Sequence, residues 1–300
     1  MLSGVHFLLT YSCTNRCDHC FLHCSPEAPG TFTCEQLRET FGEIERMGTI
    51  EIVYFEGGEA FLYYPLLLEG LRLAAMSGLR AGVVTNAYWA TSVEDAELWL
   101  KPIRDIGIAD LSISDDAFHQ TTEQGSAPKL AFAAAMHLGI PCDTICIESP
   151  SLAPCQEDSR SRGQPVTGGH VLFRGRAAEG LTAGLPRRRC DELTTCPHEE
   201  LEAPARVHVD CYGNVHICQG LSMGNMWETP LSKLTREYYA PQHPICGPLS
   251  AGGPAALSKE YGVELPDDFV DECHYCYTVR KALVDRFPAY LAPGQVYGLR

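Results

Sequence analysis

The chain has 300 residues, 45% of them hydrophobic, and carries 38 acidic against 23 basic residues for a net charge of −15. That length can bury a large core, and that charge excludes nucleic-acid binding through a general basic footprint. No apolar run approaches the roughly 20 residues that cross a bilayer, and the N-terminus lacks a basic region followed by an apolar stretch, so a cytoplasmic protein without membrane contact is expected.

Apolar strand-like runs alternate with amphipathic helical runs through the first half. Residues 6–10 read as a strand that delivers a cysteine-rich loop at its C-terminal end. Residues 33–47 read as a helix, opened by a Thr33-x-x-Gln36 capping box and closed before Gly48. A strand at 51–55 leads into the loop Glu56-Gly57-Gly58-Glu59, and a helix at 65–77 carries Pro in its first turn. There follow a strand at 80–85 ending at Asn86, a capped helix at 92–105, a strand at 110–114, a helix at 130–138 and a strand at 144–148. Such alternation predicts an α/β fold with parallel strands joined by crossover helices. Residues 149–169, rich in Pro and Gly, read as a loop, and 170–173 as a sixth strand followed by Arg174-Gly175-Arg176. From about residue 181 the rhythm stops. A hairpin around Tyr212-Gly213-Asn214 and a closing helix near 277–286 remain, which predicts one domain over 1–180 and a small metal-stapled domain over 181–300.

Fifteen cysteines in a long chain without a signal peptide point to metal rather than to a disulfide framework, and their odd number precludes complete intramolecular pairing. Cys13, Cys17 and Cys20, spaced Cys-x3-Cys-x2-Cys, offer three thiolates and no fourth. Zinc and structural iron–sulfur centres take four protein ligands, so three thiolates on a 4Fe–4S cluster leave one iron open. Downstream, Cys196, Cys218 and the pair Cys273-His274-Tyr275-Cys276 make a four-thiolate set. The others (Cys24, Cys34, Cys142, Cys146, Cys155, Cys190, Cys211 and Cys246) read mostly as small buried residues.

With the cysteine triplet after the first predicted strand and Gly57-Gly58-Glu59 after the second, the chain resembles the radical S-adenosylmethionine (radical SAM) enzymes. The resemblance implies a partial (β/α)6 barrel in which Cys13, Cys17 and Cys20 hold a 4Fe–4S cluster. The open iron chelates S-adenosylmethionine, whose amino group meets the Gly57-Gly58-Glu59 loop. Reductive cleavage, fed by an external donor such as flavodoxin or ferredoxin, gives a 5′-deoxyadenosyl radical that takes a substrate hydrogen. Asn86, Ser112, Ser114 and Asp115 lie at strand ends, where such barrels place functional groups, with turn chemistry as the alternative. Arg174 and Arg176 suit the cofactor carboxylate, with a surface role as the alternative.

The C-terminal cysteines, with the run 210–218 and Met223-Gly224-Asn225, resemble the twitch domain, the shorter relative of SPASM. That likeness implies a second, auxiliary 4Fe–4S cluster on Cys196, Cys218, Cys273 and Cys276, zinc being the alternative. A weaker resemblance, to radical SAM peptide epimerases, rests on Cys24-Ser25-Pro26, residues 55–59 and 115–119, and the terminal Cys-x2-Cys. Gln219 stands where the donor thiol of those enzymes follows a cluster ligand; Cys211, on the same hairpin, is the candidate hydrogen donor, with a role as a further cluster ligand as the alternative. The expected activity is maturation of a ribosomally made peptide by epimerisation, cross-linking or oxidation. With the first strand starting so close to Met1, a peptide is expected to meet the barrel mouth directly or through a partner protein. Tailoring or dehydrogenation of a small molecule (an amino acid, sugar or nucleoside) is the alternative, and a non-catalytic iron–sulfur or zinc protein comes last.

Overall fold

Strand and helix alternate from the first residues of the computed structural model, which describes residues 2–119, 126–152 and 169–299. In order these are β1 (Gly4–Thr10), α1 (Cys34–Met47), β2 (Ile52–Gly57), α2 (Tyr64–Met76), β3 (Arg80–Thr85), α3 (Val93–Ile106), β4 (Asp110–Ser114), α4 (Ala127–Leu138) and β5 (Cys142–Ile145). The local chemistry follows the sequence. Thr33 caps α1 through the reciprocal bonds of a capping box with Gln36, and Gly48 ends it in the left-handed conformation. The five strands are parallel, in the order β5-β4-β3-β2-β1. Residues alternating along them supply the core: Val5, Phe7, Leu9, Val53, Phe55, Val83, Leu111 and Ile113 are fully buried. Phe7 stacks on Phe55 and on Phe41 of α1 at 5.0 and 5.4 Å.

The α/β partial barrel is present, but residues 170–173 form no strand in it. Gly169 and His170 both have left-handed φ, +95° and +60°, which breaks the extension that a strand requires. The expected loop over 149–169 is described only at 149–152 and 169, where there is no helix, and Cys155 lies outside the described residues. A sixth parallel strand comes instead from far downstream and joins the opposite side of β1.

The second half begins with α5 (Arg176–Gly180) and β6 (Arg188–Arg189). Then β7 (Arg206–Asp210) pairs parallel with β1 and turns through Gly213, φ +88°, into β8 (Asn214–Cys218) and β9 (Leu221–Asn225). The result is one eight-stranded sheet, β5-β4-β3-β2-β1-β7-β8-β9. After α6 (Leu231–Glu237) and α7 (Cys246–Tyr261), β10 (Asp268–Phe269) pairs with β6, and α8 (Glu272–Leu283) closes the segment. Asp271 caps α8 by accepting from the N–H of His274 at 2.7 Å. The helix thus starts five residues before the expected 277, and its first two turns carry Cys273 and Cys276.

Candidate active site

The C-terminal ends of β1 to β5 enclose a cavity of about 270 Å³. Of the sequence-predicted site residues, Cys13, Cys17, Cys20, Gly57, Gly58, Asn86, Ser114 and Arg176 line it, and Cys24 joins them. Tight backbone contacts make this convergence possible. The Gly58 N–H donates to Thr10 O at 2.7 Å and the Glu59 N–H to Ser12 O at 2.9 Å. A Cβ on Gly58 would stand 2.1 Å from Ser12 O, and one on Gly57 2.4 Å from Thr10 O. The two glycines therefore let the loop after β2 lie against the start of the cysteine loop.

Glu59 lies beneath this contact, 1% exposed. Its carboxylate accepts from Thr85 Oγ1 at 2.9 Å, Asn86 N at 2.7 Å and Phe61 N at 3.0 Å. Burial lifts its pKa to about 7 against those bonds. It braces the end of β3, and Asn86 in turn reaches the cysteine loop, donating to Thr14 Oγ1 at 3.0 Å and to Cys13 Sγ at 3.6 Å.

The thiols differ in environment. Burial pushes Cys13 up to about 11 and Cys17 to about 12. Cys20 is brought down to about 6, first by a hydrogen bond from the Cys24 thiol and also by the nearby Arg176 charge. Arg176 is committed to the loop backbone, with Nε on Cys17 O at 2.8 Å and Nη2 on Cys24 O at 2.7 Å.

Among the residues that sequence reasoning did not assign, His19, Asp116 and His119 also line the cavity. Asp116 Oδ1 lies 2.8 Å from His119 Nδ1, and its Oδ2 accepts from Ile147 N at 3.2 Å. Burial, aided by the charge of His119, lowers His19 to about 4, and its buried Nδ1 has no partner among the described residues. The signal for Asp116 was present in the stretch 115–119, one position away from the residue chosen. Asp115 stands outside the lining, its N–H donating to Ile145 O. Ser112 also stands outside, its hydroxyl on Asp110 Oδ2 at 2.6 Å.

A second cavity gathers Cys196, Cys218, Cys273 and Cys276 with Arg174 and Arg280. Arg174, expected at the cofactor, is turned here instead: Nη1 donates to Cys218 Sγ at 2.9 Å and to Glu199 Oε1 at 3.1 Å. Arg280, 1% exposed, donates through Nη2 to the same sulfur at 3.9 Å. The Nε of each arginine is buried without a partner among the described residues. Burial pushes Cys276 up to about 11 and raises Cys196 and Cys273 as well. Among the described residues, the sets with three ligand atoms within 4.8 Å of one another are two, and neither contains a cysteine. Cys211 lines neither cavity; its sulfur lies against Gly30, and burial pushes it up to about 12.

The Radical SAM superfamily profile matches residues 7–138. The chain is similar to YydG of Bacillus subtilis (strain 168), whose name assigns it provisionally to peptide biosynthesis, at 27% identity over 117 residues, 39% of this chain and 37% of YydG. It is also similar to AlbA of the same strain, an antilisterial bacteriocin subtilosin biosynthesis protein, at 38% identity over 82 residues, 27% of this chain and 17% of AlbA. The chain thus matches only 37% and 17% of the length of these relatives. Among solved structures, BtrN in complex with AdoMet and 2-DOIA shares the fold, with TM-score 0.52 and 16% identity over 79% of this chain and 83% of BtrN. Residues 7–138, which carry the cysteine triplet and the Gly57-Gly58-Glu59 loop, therefore belong to the radical SAM superfamily.

Proposed function

We propose that this protein is a radical SAM enzyme acting in the maturation of a ribosomally made peptide. The observation that carries the reading is the meeting of Cys13, Cys17, Cys20, Gly57, Gly58 and Asn86 on one cavity. The names of the two relatives support the peptide class.

Cys13, Cys17 and Cys20 would hold a 4Fe–4S cluster, and their chemistry fits one. Thiols raised to about 11 and 12 ionise when a cation sits beside them. The Asn15 N–H, 3.4 Å from Cys13 Sγ, and the Asn86 amide give that sulfur the kind of hydrogen bonds that set cluster potentials. S-adenosylmethionine would lie along Gly57, Gly58, Asn86 and Ser114, where the unpartnered Nδ1 of His19 offers a further polar contact. When bound, the cluster and S-adenosylmethionine supply a 5′-deoxyadenosyl radical that removes a substrate hydrogen. The chain's own part is to position and to exclude water: Cys13 and Cys17 are each 7% exposed, and Arg176 pins the loop at Cys17 and Cys24.

Cys196, Cys218, Cys273 and Cys276 would hold an auxiliary 4Fe–4S cluster, in a twitch-like region assigned to 181–300. Two buried guanidiniums balance a dianionic centre there. Four zinc thiolates at about 2.3 Å from one ion would stand about 3.8 Å apart, closer than these sulfurs are grouped. An external one-electron donor and a cytoplasmic setting complete the reading.

Anaerobically reconstituted protein reduced with dithionite is expected to turn S-adenosylmethionine into 5′-deoxyadenosine, and Cys13→Ala, Cys17→Ala or Cys20→Ala to abolish this. Zinc in place of iron, without that product, overturns the proposal. About eight irons per chain supports both clusters and about four removes the auxiliary one. With a precursor peptide encoded beside the gene, product mass in heavy water divides the outcomes: epimerisation adds one deuterium, oxidation removes two hydrogens.

A further inference from the structure

The inner face of the barrel carries a second constellation, built without cysteine. His6 of β1 lies opposite His208 of β7, and Leu8 pairs with Glu56 of β2, so Glu56 sits one pleat further along the adjacent strand. Strand alternation sends these three side chains to the face opposite the buried Val5, Phe7, Phe55 and Val207. Glu56 Oε1 lies 3.1 Å from His6 Nδ1 and 3.1 Å from His208 Nε2, so both imidazoles aim at one oxygen. All three ligand atoms fall within 4.8 Å of one another. The rings are held in place: His6 stacks on Tyr54 and meets His208 edge-on, each at 4.9 Å. His208 is 5% exposed, and Glu56 lines the cavity described above.

Parallel barrels ordinarily fill their interior with branched apolar side chains, so a carboxylate between two imidazoles calls for a reason. We propose that His6, Glu56 and His208 form a binding site for one divalent first-row transition metal ion, its open positions facing the cavity. Ligands about 2.0–2.2 Å from one ion, held at neighbouring positions, stand about 3.0–3.4 Å apart. The two 3.1 Å separations already satisfy that spacing. Two imidazole nitrogens with one carboxylate oxygen suit zinc, iron(II) or cobalt(II) rather than magnesium or calcium, which take oxygen shells. The protonation states agree. Burial would raise the Glu56 carboxyl, but the hydrogen bonds from His208 and His6 help to outweigh it, and it lies well below the usual carboxylate range. Burial keeps His208 on the uncharged side despite Glu56. An ionised carboxylate with a neutral imidazole is the form that binds a metal.

The test uses anaerobic protein with its clusters reconstituted, so that the thiolates are occupied, given one equivalent of Zn2+ and then desalted. About one zinc per chain is expected to remain, and its X-ray absorption to show a light-atom shell at about 2.0–2.1 Å with imidazole scattering and no sulfur at about 2.3 Å. Glu56→Gln and His208→Ala are each expected to weaken zinc binding at least about tenfold at unchanged iron content. No retained zinc, or a sulfur shell, overturns the site. His19, Asp116 and His119 form a second set of two imidazoles and a carboxylate, so zinc retained undiminished in an iron-replete Glu56 or His208 variant also overturns the site, and His6→Ala serves should either variant lose its iron. Zinc on nitrogen and oxygen in a protein that makes no 5′-deoxyadenosine would leave this site standing while the radical SAM reading fell.

Discussion

Glu59 is the residue at which sequence and structure part most instructively. The Gly57-Gly58-Glu59 motif is legible in the sequence, and it does stand beside the cysteine loop. What Glu59 does is not legible, because its partners Thr85 and Asn86 lie 26 and 27 positions away. Its carboxyl, ordinarily near 4.5, titrates near 7 in the fold because burial opposes the charge. Between 4.5 and 7 the folded chain holds more protons than the unfolded one, so this group's contribution to stability falls as pH rises through that window. Glu59→Gln is expected to flatten that slope, read from denaturant unfolding at several pH values. At neutral pH it is also expected to cost about 1–3 kcal/mol, since Phe61 N and Asn86 N donate to different oxygens of Glu59 and the amide nitrogen must face one of these two donors. An unchanged slope would assign the titration to another group. Gly58 offers a purely steric counterpart. Its added Cβ would meet Ser12 O at 2.1 Å, so Gly58→Ala is expected to displace the cysteine loop. Iron per chain, measured after reconstitution, is expected to drop while far-UV circular dichroism stays near wild type.

Among the elements, the short run Arg174-Gly175-Arg176 joins the two cysteine sites. Sequence reasoning gave both arginines to the cofactor carboxylate, because a guanidinium suits bidentate binding, with a surface role as the alternative. The backbone separates them. Gly175 takes φ +59° and lies so close to the cysteine loop that a Cβ would meet Cys20 O at 2.5 Å. On one side Arg176 binds the carbonyls of Cys17 and Cys24, and on the other Arg174 binds Cys218 and Glu199. The Arg174 guanidinium also sits 5.4 Å above the ring of Phe21, the residue after Cys20. Arg174 and Glu199 are both nearly buried, and Arg174→Met leaves the Glu199 carboxylate only its longer contact with Arg206, 3.4 Å from Oε2. A loss of about 1.5–3 kcal/mol in unfolding free energy is expected, together with earlier loss of iron from the Cys196, Cys218, Cys273 and Cys276 site than from the Cys13, Cys17 and Cys20 site during chelator titration. Equal loss from both sites would mean that Arg174 supports the fold as a whole and not that site. Of the four cysteines on the second cavity, the Cys273–Cys276 pair stood out by its spacing, whereas Cys196 and Cys218 reach it from elements far away in the chain.

Over the whole molecule, the βα alternation of the first half was legible because each strand and helix carries its own pattern and caps. The closure of the sheet was not. β7 joins β1 in parallel register, His6 opposite His208, across a chain separation that no local pattern encodes. Buried polar groups lock the same junction: Tyr11 Oη donates to Asp210 Oδ2 at 2.9 Å, and Asn214 Nδ2 to the same oxygen at 2.9 Å. His216 Nε2 stands 3.2 Å from that oxygen too, in a site where Tyr11, Asp210 and His216 are all 0% exposed. The regions assigned to 1–180 and 181–300 therefore share one sheet and one hydrogen-bonded core, whatever their separate chemistry. A chain cut after residue 180 loses β7, bares the edge of β1 along its fully buried Val5, Phe7 and Leu9, and strands the Tyr11 hydroxyl. Such a fragment is expected to lack a cooperative urea transition by circular dichroism and to aggregate, whereas the full chain unfolds both regions together. A fragment of 1–180 that unfolds cooperatively would show that the β1–β7 pairing contributes little, and would make the two regions independent folding units.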